Sequence, residues 1–143
     1  MTRKEYKDMY DVVGAAMEVY NTLGRGMAEA VYQESLDKEF RRRGMEVERE
    51  KVLRMYYKGE LLEKTYFADF FYNGIIIELK SVQEIIPDHR AQLFNYLRIT
   101  QQDRGIIFNF GEDSLHTERY LFISDYDDFV LLNQDNYRTY ISE

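Results

Sequence analysis

Leu62-Glu63-Lys64-Thr65-Tyr66-Phe67-Ala68-Asp69-Phe70-Phe71-Tyr72-Asn73-Gly74-Ile75-Ile76-Ile77-Glu78-Leu79-Lys80 reads as a single β-hairpin. Asn-Gly between two apolar, β-rich runs is the strongest short-range signal for a two-residue type I′ turn. Such a turn sets the register: Tyr72 faces Ile75, Phe71 faces Ile76, Phe70 faces Ile77, and Asp69 falls opposite Glu78. Opposed residues project from the same side of a sheet, with Cβ atoms about 4.5–5.5 Å apart. Lys80, two residues past Glu78, joins that side on the diagonal from Asp69. Two like charges placed this way destabilise a hairpin unless something positive lies between them. A divalent cation, with Lys80 at its edge, would serve.

An acid-acid-lysine cluster on paired strands is more often a solvated surface group worth little. Here strict alternation sets Phe67, Phe71 and Ile76 beside the charges, and Tyr66, Ala68, Phe70, Ile75, Ile77 and Leu79 on the other face. Both faces are therefore expected to be covered. Charges among hydrophobes are costly unless paired or metal-bound, which favours a functional site.

At 143 residues the chain is expected to form one domain, 1–143, with a core that needs no staples. A 45% hydrophobic and 15% aromatic content excludes a disordered chain. The absence of cysteine excludes disulfides and thiolate metal sites, and with only His89 and His116 a nitrogen-rich zinc site is disfavoured. Oxygen ligands point to Mg²⁺ or Mn²⁺. The N-terminal residues have no apolar signal core and no stretch approaches membrane-spanning length, so a cytoplasmic location without membrane contact is expected.

The net charge of −7 argues against binding to nucleic acid driven by electrostatics alone. Its distribution softens that reading. Residues 112–143 carry a net −6, leaving residues 1–111 at −1, so the acidity belongs mainly to a C-terminal tail. Arg41-Arg42-Arg43 is best read as a helix end complementing the helix dipole, with phosphate contact the lesser alternative.

Tyr6, Met9, Tyr10, Val13, Met17 and Tyr20 recur at helical spacing and predict a helix over about 4–21, stopped by Leu23-Gly24-Arg25-Gly26. A second helix is predicted over about 27–43, with Ala28, Val31, Tyr32, Ser35, Leu36 and Phe40 on one stripe. Strands follow over roughly 46–57, 61–72 and 74–81, with Lys58-Gly59 and Asn73-Gly74 as turns. Pro87 opens a third helix through about 102, with Asp88 as its cap. Residues 105–110 read as a buried strand, Glu118–Ser124 as an edge strand, and the tail from Asp125 shows no period. The order ααβββαββ predicts an α/β (α+β) fold, a mixed β-sheet flanked by helices.

Two of these helices carry residues that could complete the site. Glu29 borders the apolar stripe of the second helix while Glu34 points away from it, although a first-turn glutamate can also simply complement the helix dipole. On the third helix, Leu93, Phe94 and Leu97 form a core face beside a donor-rich stripe of His89, Gln92 and Tyr96. Such a stripe is often only the wetter side of a helix.

Asp69 followed by Glu78-Leu79-Lys80 resembles the D-(x)n-E-x-K core of the PD-(D/E)xK nuclease superfamily. More narrowly, Gly26-Met27-Ala28-Glu29-Ala30-Val31-Tyr32 is similar to the motif that names its GxxExxY proteins. The likeness runs from about Val13 to Gly111 and takes in Leu23-Gly24-Arg25-Gly26, Tyr57-Lys58-Gly59, the run His89 to Leu97, and Asn109-Phe110-Gly111. The core pattern alone is short and weakly specific, but the ordered set is strong. The resemblance implies a restriction-endonuclease-like core in which Asp69 and Glu78 ligate Mg²⁺ with the backbone carbonyl of Leu79. It implies that Lys80 orients or helps deprotonate the attacking water and stabilises charge on the phosphate. Glu29 would take the helix acid's role, directly or through water, and Gln92 and Tyr96 would match a glutamine-tyrosine helix motif. Ala68 departs from the superfamily's proline, Tyr20 from an expected histidine and Arg25 from an expected proline, which bears on substrate contacts more than on chemistry.

The first function in view is a Mg²⁺-dependent nuclease acting on DNA or RNA in repair or defence. A homodimer or a protein partner would then supply binding surface that the acidic chain lacks. The second is an interaction module that keeps the nuclease fold without the catalysis. A hydrolase of small phosphate esters is the third.

Overall fold

Both predicted reversals form. Asn73 and Gly74 have φ of 46° and 88°, and Lys58 and Gly59 have φ of 49° and 84°, the doubly positive pair that a type I′ turn requires. The computed structural model describes residues 1–142; Glu143, counted in the acidic tail, lies outside the described residues. The elements in order are α1 (Arg3–Leu23), α2 (Glu29–Arg42), β1 (Glu48–Tyr57), β2 (Glu60–Tyr72), β3 (Ile75–Lys80), α3 (Pro87–Thr100), β4 (Arg104–Asn109), β5 (His116–Ile123) and β6 (Asp128–Leu132). The strands form one mixed sheet in the order β1-β2-β3-β4-β5-β6. Among the described residues only β3 and β4 pair in parallel, and α3 is the crossover that parallel pairing demands.

The sheet separates two cores. On one face α1 and α2 cover Phe70, Ile75, Ile77, Leu79, Ile106 and Phe108. On the other, Leu93, Tyr96 and Leu97 of α3 cover Ala68, Ile76 and Ile107. Helix α1 begins with a capping box, Thr2 Oγ1 accepting from Glu5 N–H and Glu5 accepting from Thr2 N–H. Its buried stripe is rotated from the one expected: Met9, Val12, Ala15, Ala16 and Val19 face inward, while Tyr10 and Met17 are exposed. Small alanines let the helix axis approach the sheet, and Tyr10 and Met17 turn out to solvent.

Three further expectations need correction. The tail contributes a sixth strand, since Asp128–Leu132 pairs with β5, so β6 and not β5 is the sheet edge. Asp88 does not cap α3; Ile86 is the N-cap, and its N–H is taken by His89 Nδ1 at 3.1 Å. Pro87 occupies the first helical position, which leaves Asp88 already inside the helix. Finally, β2 does not keep one alternation. Tyr66 and Ala68 pack on the α3 side but Phe70 packs on the α1/α2 side, and Phe67 is 55% exposed. The strand changes faces at Asp69, where its neighbour on β1, Glu50, has a positive φ of 51°. That local irregularity is invisible to a period-two reading.

Candidate active site

The β2–β3 register is the expected one, with Tyr72 opposite Ile75, Phe71 opposite Ile76 and Phe70 opposite Ile77. The ladder then stops. Asp69 and Glu78 are not a further ladder pair; instead Asp69 Oδ2 accepts the backbone N–H of Leu79 at 2.8 Å. A side chain thus replaces the next backbone bond as the strands splay, and the gap brings the two acids together.

Glu78 is 5% exposed, and among the described residues its Oε1 has no hydrogen-bond partner. Burial, then the neighbouring Asp69 charge and a carboxyl-carboxyl contact with it, push the Glu78 pKa well above the usual carboxylate range. Lys80 works against that rise. Glu29, at the first position of α2, lines a small cleft with Ala30, Gln33, Asp69 and Leu79. Desolvation there raises its pKa, with Lys80 opposing and Asp69 adding to the shift. On α3, Tyr96 is buried and its phenol is pushed up to about 12, first by desolvation and then by the charges of Glu78 and Asp69, while a hydrogen bond with Gln92 pulls the other way. Glu29, Asp69, Glu78, Lys80, Gln92 and Tyr96 therefore share one neighbourhood, reached from α2, β2, β3 and α3. Glu34 is exposed.

One member was not anticipated. Gln33 Nε2 donates to Asp69 Oδ1 at 3.2 Å, and its own Oε1 accepts from Arg49 Nε at 3.1 Å. It lies four residues after Glu29, one turn along the same helix face, which is the signal that could have found it. Both Asp69 oxygens are thereby oriented, each keeping a lone pair for a further partner.

The supporting shell explains several motif residues. Tyr32 is fully buried, stacks on Phe110 at 4.3 Å, donates to Gly24 carbonyl at 2.6 Å and accepts from Met27 N–H at 3.2 Å. The tyrosine of G-x-x-E-x-x-Y is a strut that fixes the loop launching Glu29. Asn109, paired with Lys80 across β3 and β4, bonds both the N–H and the carbonyl of Val82 at 3.0 Å, holding the chain just past the lysine. At Gly111 any Cβ would sit 2.1 Å from the Val82 carbonyl oxygen, so glycine is required. Tyr20 donates to Glu112 carbonyl and Arg25 pairs with Asp113, so both departures from the expected pattern tie α1 and its following loop to the segment after β4. Of the three arginines, Arg41 and Arg43 pair with Asp37 and Glu39 on their own helix, as a helix terminus would.

A second buried acid lies two strands away on the same face of the sheet. Glu118 accepts from Arg90 Nε and Nη2 at 2.8 Å each, from Tyr120 OH at 2.5 Å, and meets His116 Nε2 at 2.6 Å. The Arg90 hydrogen bond first, then those from His116 and Tyr120, hold its pKa down at about 2 against desolvation.

The donor set suits a hard cation. Glu78 presents an orphaned buried oxygen and Asp69 has free lone pairs, an all-oxygen donor set. Among the described residues no three His, Cys, Asp or Glu side chains could hold an ion by themselves, so the protein would supply the pair plus a backbone carbonyl. Magnesium keeps several waters in such sites.

No helix among the described residues is long and apolar enough to cross a membrane. No curated protein matches the chain. The crystal structure of SSO0001 is similar in fold, with a TM-score of 0.50 and 20% identity, covering 63% of this chain; the chain spans 48% of that one. The sequence pattern of the PD-(D/E)XK nuclease superfamily matches residues 6–122, the stretch that contains every element of the site described above. The chain belongs to the PD-(D/E)XK nuclease superfamily.

Proposed function

We propose that this protein is a Mg²⁺- or Mn²⁺-dependent nuclease that hydrolyses phosphodiester bonds in DNA or RNA, acting in the cytoplasm in repair or defence. The observation that carries the reading is the buried, unpartnered Oε1 of Glu78 beside the Asp69 carboxylate. A buried carboxyl oxygen with no partner is expensive in a protein that has no use for it. Asp69, Glu78 and the Leu79 carbonyl would hold the ion, with Glu29 joining through a water. When bound, the cation would neutralise charge on the phosphate and lower the pKa of the attacking water. Lys80 would donate to a phosphate oxygen and orient that water. Tyr96, kept protonated at neutral pH, and Gln92 would offer neutral donors to the same group. The G-x-x-E-x-x-Y run at 26–32 supports placement among the GxxExxY proteins. A second copy or a protein partner would extend the binding surface of an acidic chain.

The test is cleavage of labelled DNA and RNA with Mg²⁺, Mn²⁺ or chelator. Asp69→Ala and Lys80→Ala are each expected to reduce metal-dependent cleavage about a hundredfold or more. Cleavage surviving both changes would overturn the assignment. Folded protein that binds nucleic acid but never cuts it would mark an interaction module, and activity confined to small esters a different hydrolase.

A further inference from the structure

A groove of about 590 Å³ runs between α3 and the β1–β2 hairpin. Tyr66 and Tyr96 form one wall, their ring centroids 5.7 Å apart and tilted by 49°, with Met55, Asn95 and Ile99 around them. Gln92 and Tyr96 line the groove and also belong to the acidic site, so the groove opens directly from it. Its volume falls within the range of pockets for single small ligands, roughly one or two nucleotides. A duplex, whose bases are hidden in the stack, offers nothing that could enter.

The groove's own lining is nearly uncharged, and the cations near it stand on the β1–β2 hairpin that borders it. Residues 51–58 contain Lys51, Arg54 and Lys58 and no acid, in a protein of net charge −7, with Lys51 paired to Glu48 at 3.1 Å. Lys64 lies over the Tyr66 ring at 5.1 Å and Lys58 over the Tyr57 ring at 5.5 Å. Opposing them, Asp88 lines the groove and Glu60 and Glu63 lie on β2, while Arg98 is committed to Asp127 at 2.9 Å. Aromatic rings beside exposed lysines are what a single strand uses: a base takes the ring face in place of the ammonium, which swings to the phosphate. Tyr56 and Tyr57, more than 60% exposed at the far end of the hairpin, extend the same chemistry outward.

We infer that this groove holds an unpaired stretch of nucleic acid, with a base against Tyr66 and its phosphates near Lys58 and Lys64, so that the substrate is single-stranded. The inference rests on the nuclease reading for its direction, but it concerns binding and is tested without chemistry. Fluorescence anisotropy in chelator, at one fixed salt concentration, compares a labelled single-stranded DNA, the same sequence as RNA, and the blunt duplex. The single strands are expected to bind about tenfold tighter than the duplex, and the better of the two identifies the polymer. Tyr66→Ala should weaken single-strand binding about tenfold and Tyr66→Phe should restore it. Exposed Lys64→Glu should weaken it without touching the fold. Duplex binding as tight as single-strand binding overturns the inference, as does unchanged affinity in both Tyr66→Ala and Lys64→Glu, which would leave the groove to a peptide. Because no metal is present, a failed cleavage assay and a failed groove are read out separately.

Discussion

Glu78 and Glu118 stand on one rung of the sheet, each paired to Ile107 from opposite sides, and each is 5% exposed. They are the same acid at the same depth under the same helix, yet their pKa values move in opposite directions. Glu118 is surrounded by Arg90, Tyr120 and His116, and its pKa falls to about 2. Glu78 faces Asp69 with one oxygen unpartnered, and its pKa rises well above the carboxylate range. Burial is therefore no guide to role. Completion is: a saturated acid clamps α3 to β5, while an incomplete one keeps an oxygen free for a further partner.

The sharpest way to break this contrast is to neutralise each glutamate in turn. Glu78→Gln should cost about a hundredfold or more in metal-dependent cleavage while leaving the thermal midpoint unchanged or higher, since it removes a strained buried acid. Glu118→Gln should do the reverse, destabilising by about 2 kcal/mol as a charged hydrogen-bond network loses its centre, with activity per folded molecule largely kept. Equal effects of the two changes on both readouts would dissolve the distinction.

Metal-free protein should show the contrast again as two opposite slopes of stability against pH. The native Glu118 binds fewer protons than its unfolded form, so its contribution is full above the ordinary value of 4.5 and is lost as pH falls toward about 2. Native Glu78 holds its proton longer, so its contribution is full below 4.5 and is lost as pH rises through its folded pKa. Denaturant titrations across that range should lose the upper slope in Glu78→Gln and the lower one in Glu118→Gln.

The smallest effect is expected at Gln33. Gln33→Ala leaves Asp69 its Leu79 bond but removes the bond to Oδ1, and should lower cleavage about tenfold with little change in stability. Wild-type rates in that variant would show that the Leu79 bond alone orients Asp69.

Much of this is legible in the sequence. Asn73-Gly74 carries its conformation in its own side chains, and the register it imposes over Tyr72, Phe71 and Phe70 follows from counting. The spacing of Glu29 from Tyr32, and of Gln92 from Tyr96, needs only the helical repeat. The tail was not readable: Asp128–Leu132 is strand only because β5 offers it an edge, and its own pattern has no period. The face switch at Asp69 was equally hidden, since it depends on Glu50 of the neighbouring strand adopting a positive φ. Nor could the sequence tell Glu78 from Glu118, because what separates them is Arg90, twelve residues beyond one and twenty-eight before the other.

The order of amino acids determined the turns, the helices, the placing of an aspartate and a glutamate on adjoining strands, and the family pattern they make. These depend on neighbours within a few residues, where backbone preferences and period act without help from the rest of the chain. Only the folded chain decided that the ladder ends at Phe70 and Ile77, that Gln33 and the Leu79 N–H take hold of Asp69, and that Glu78 is buried without a partner. Protonation, desolvation and hydrogen-bond completion are properties of what surrounds a group in space, and that surrounding exists only once α2, α3 and the sheet have packed together.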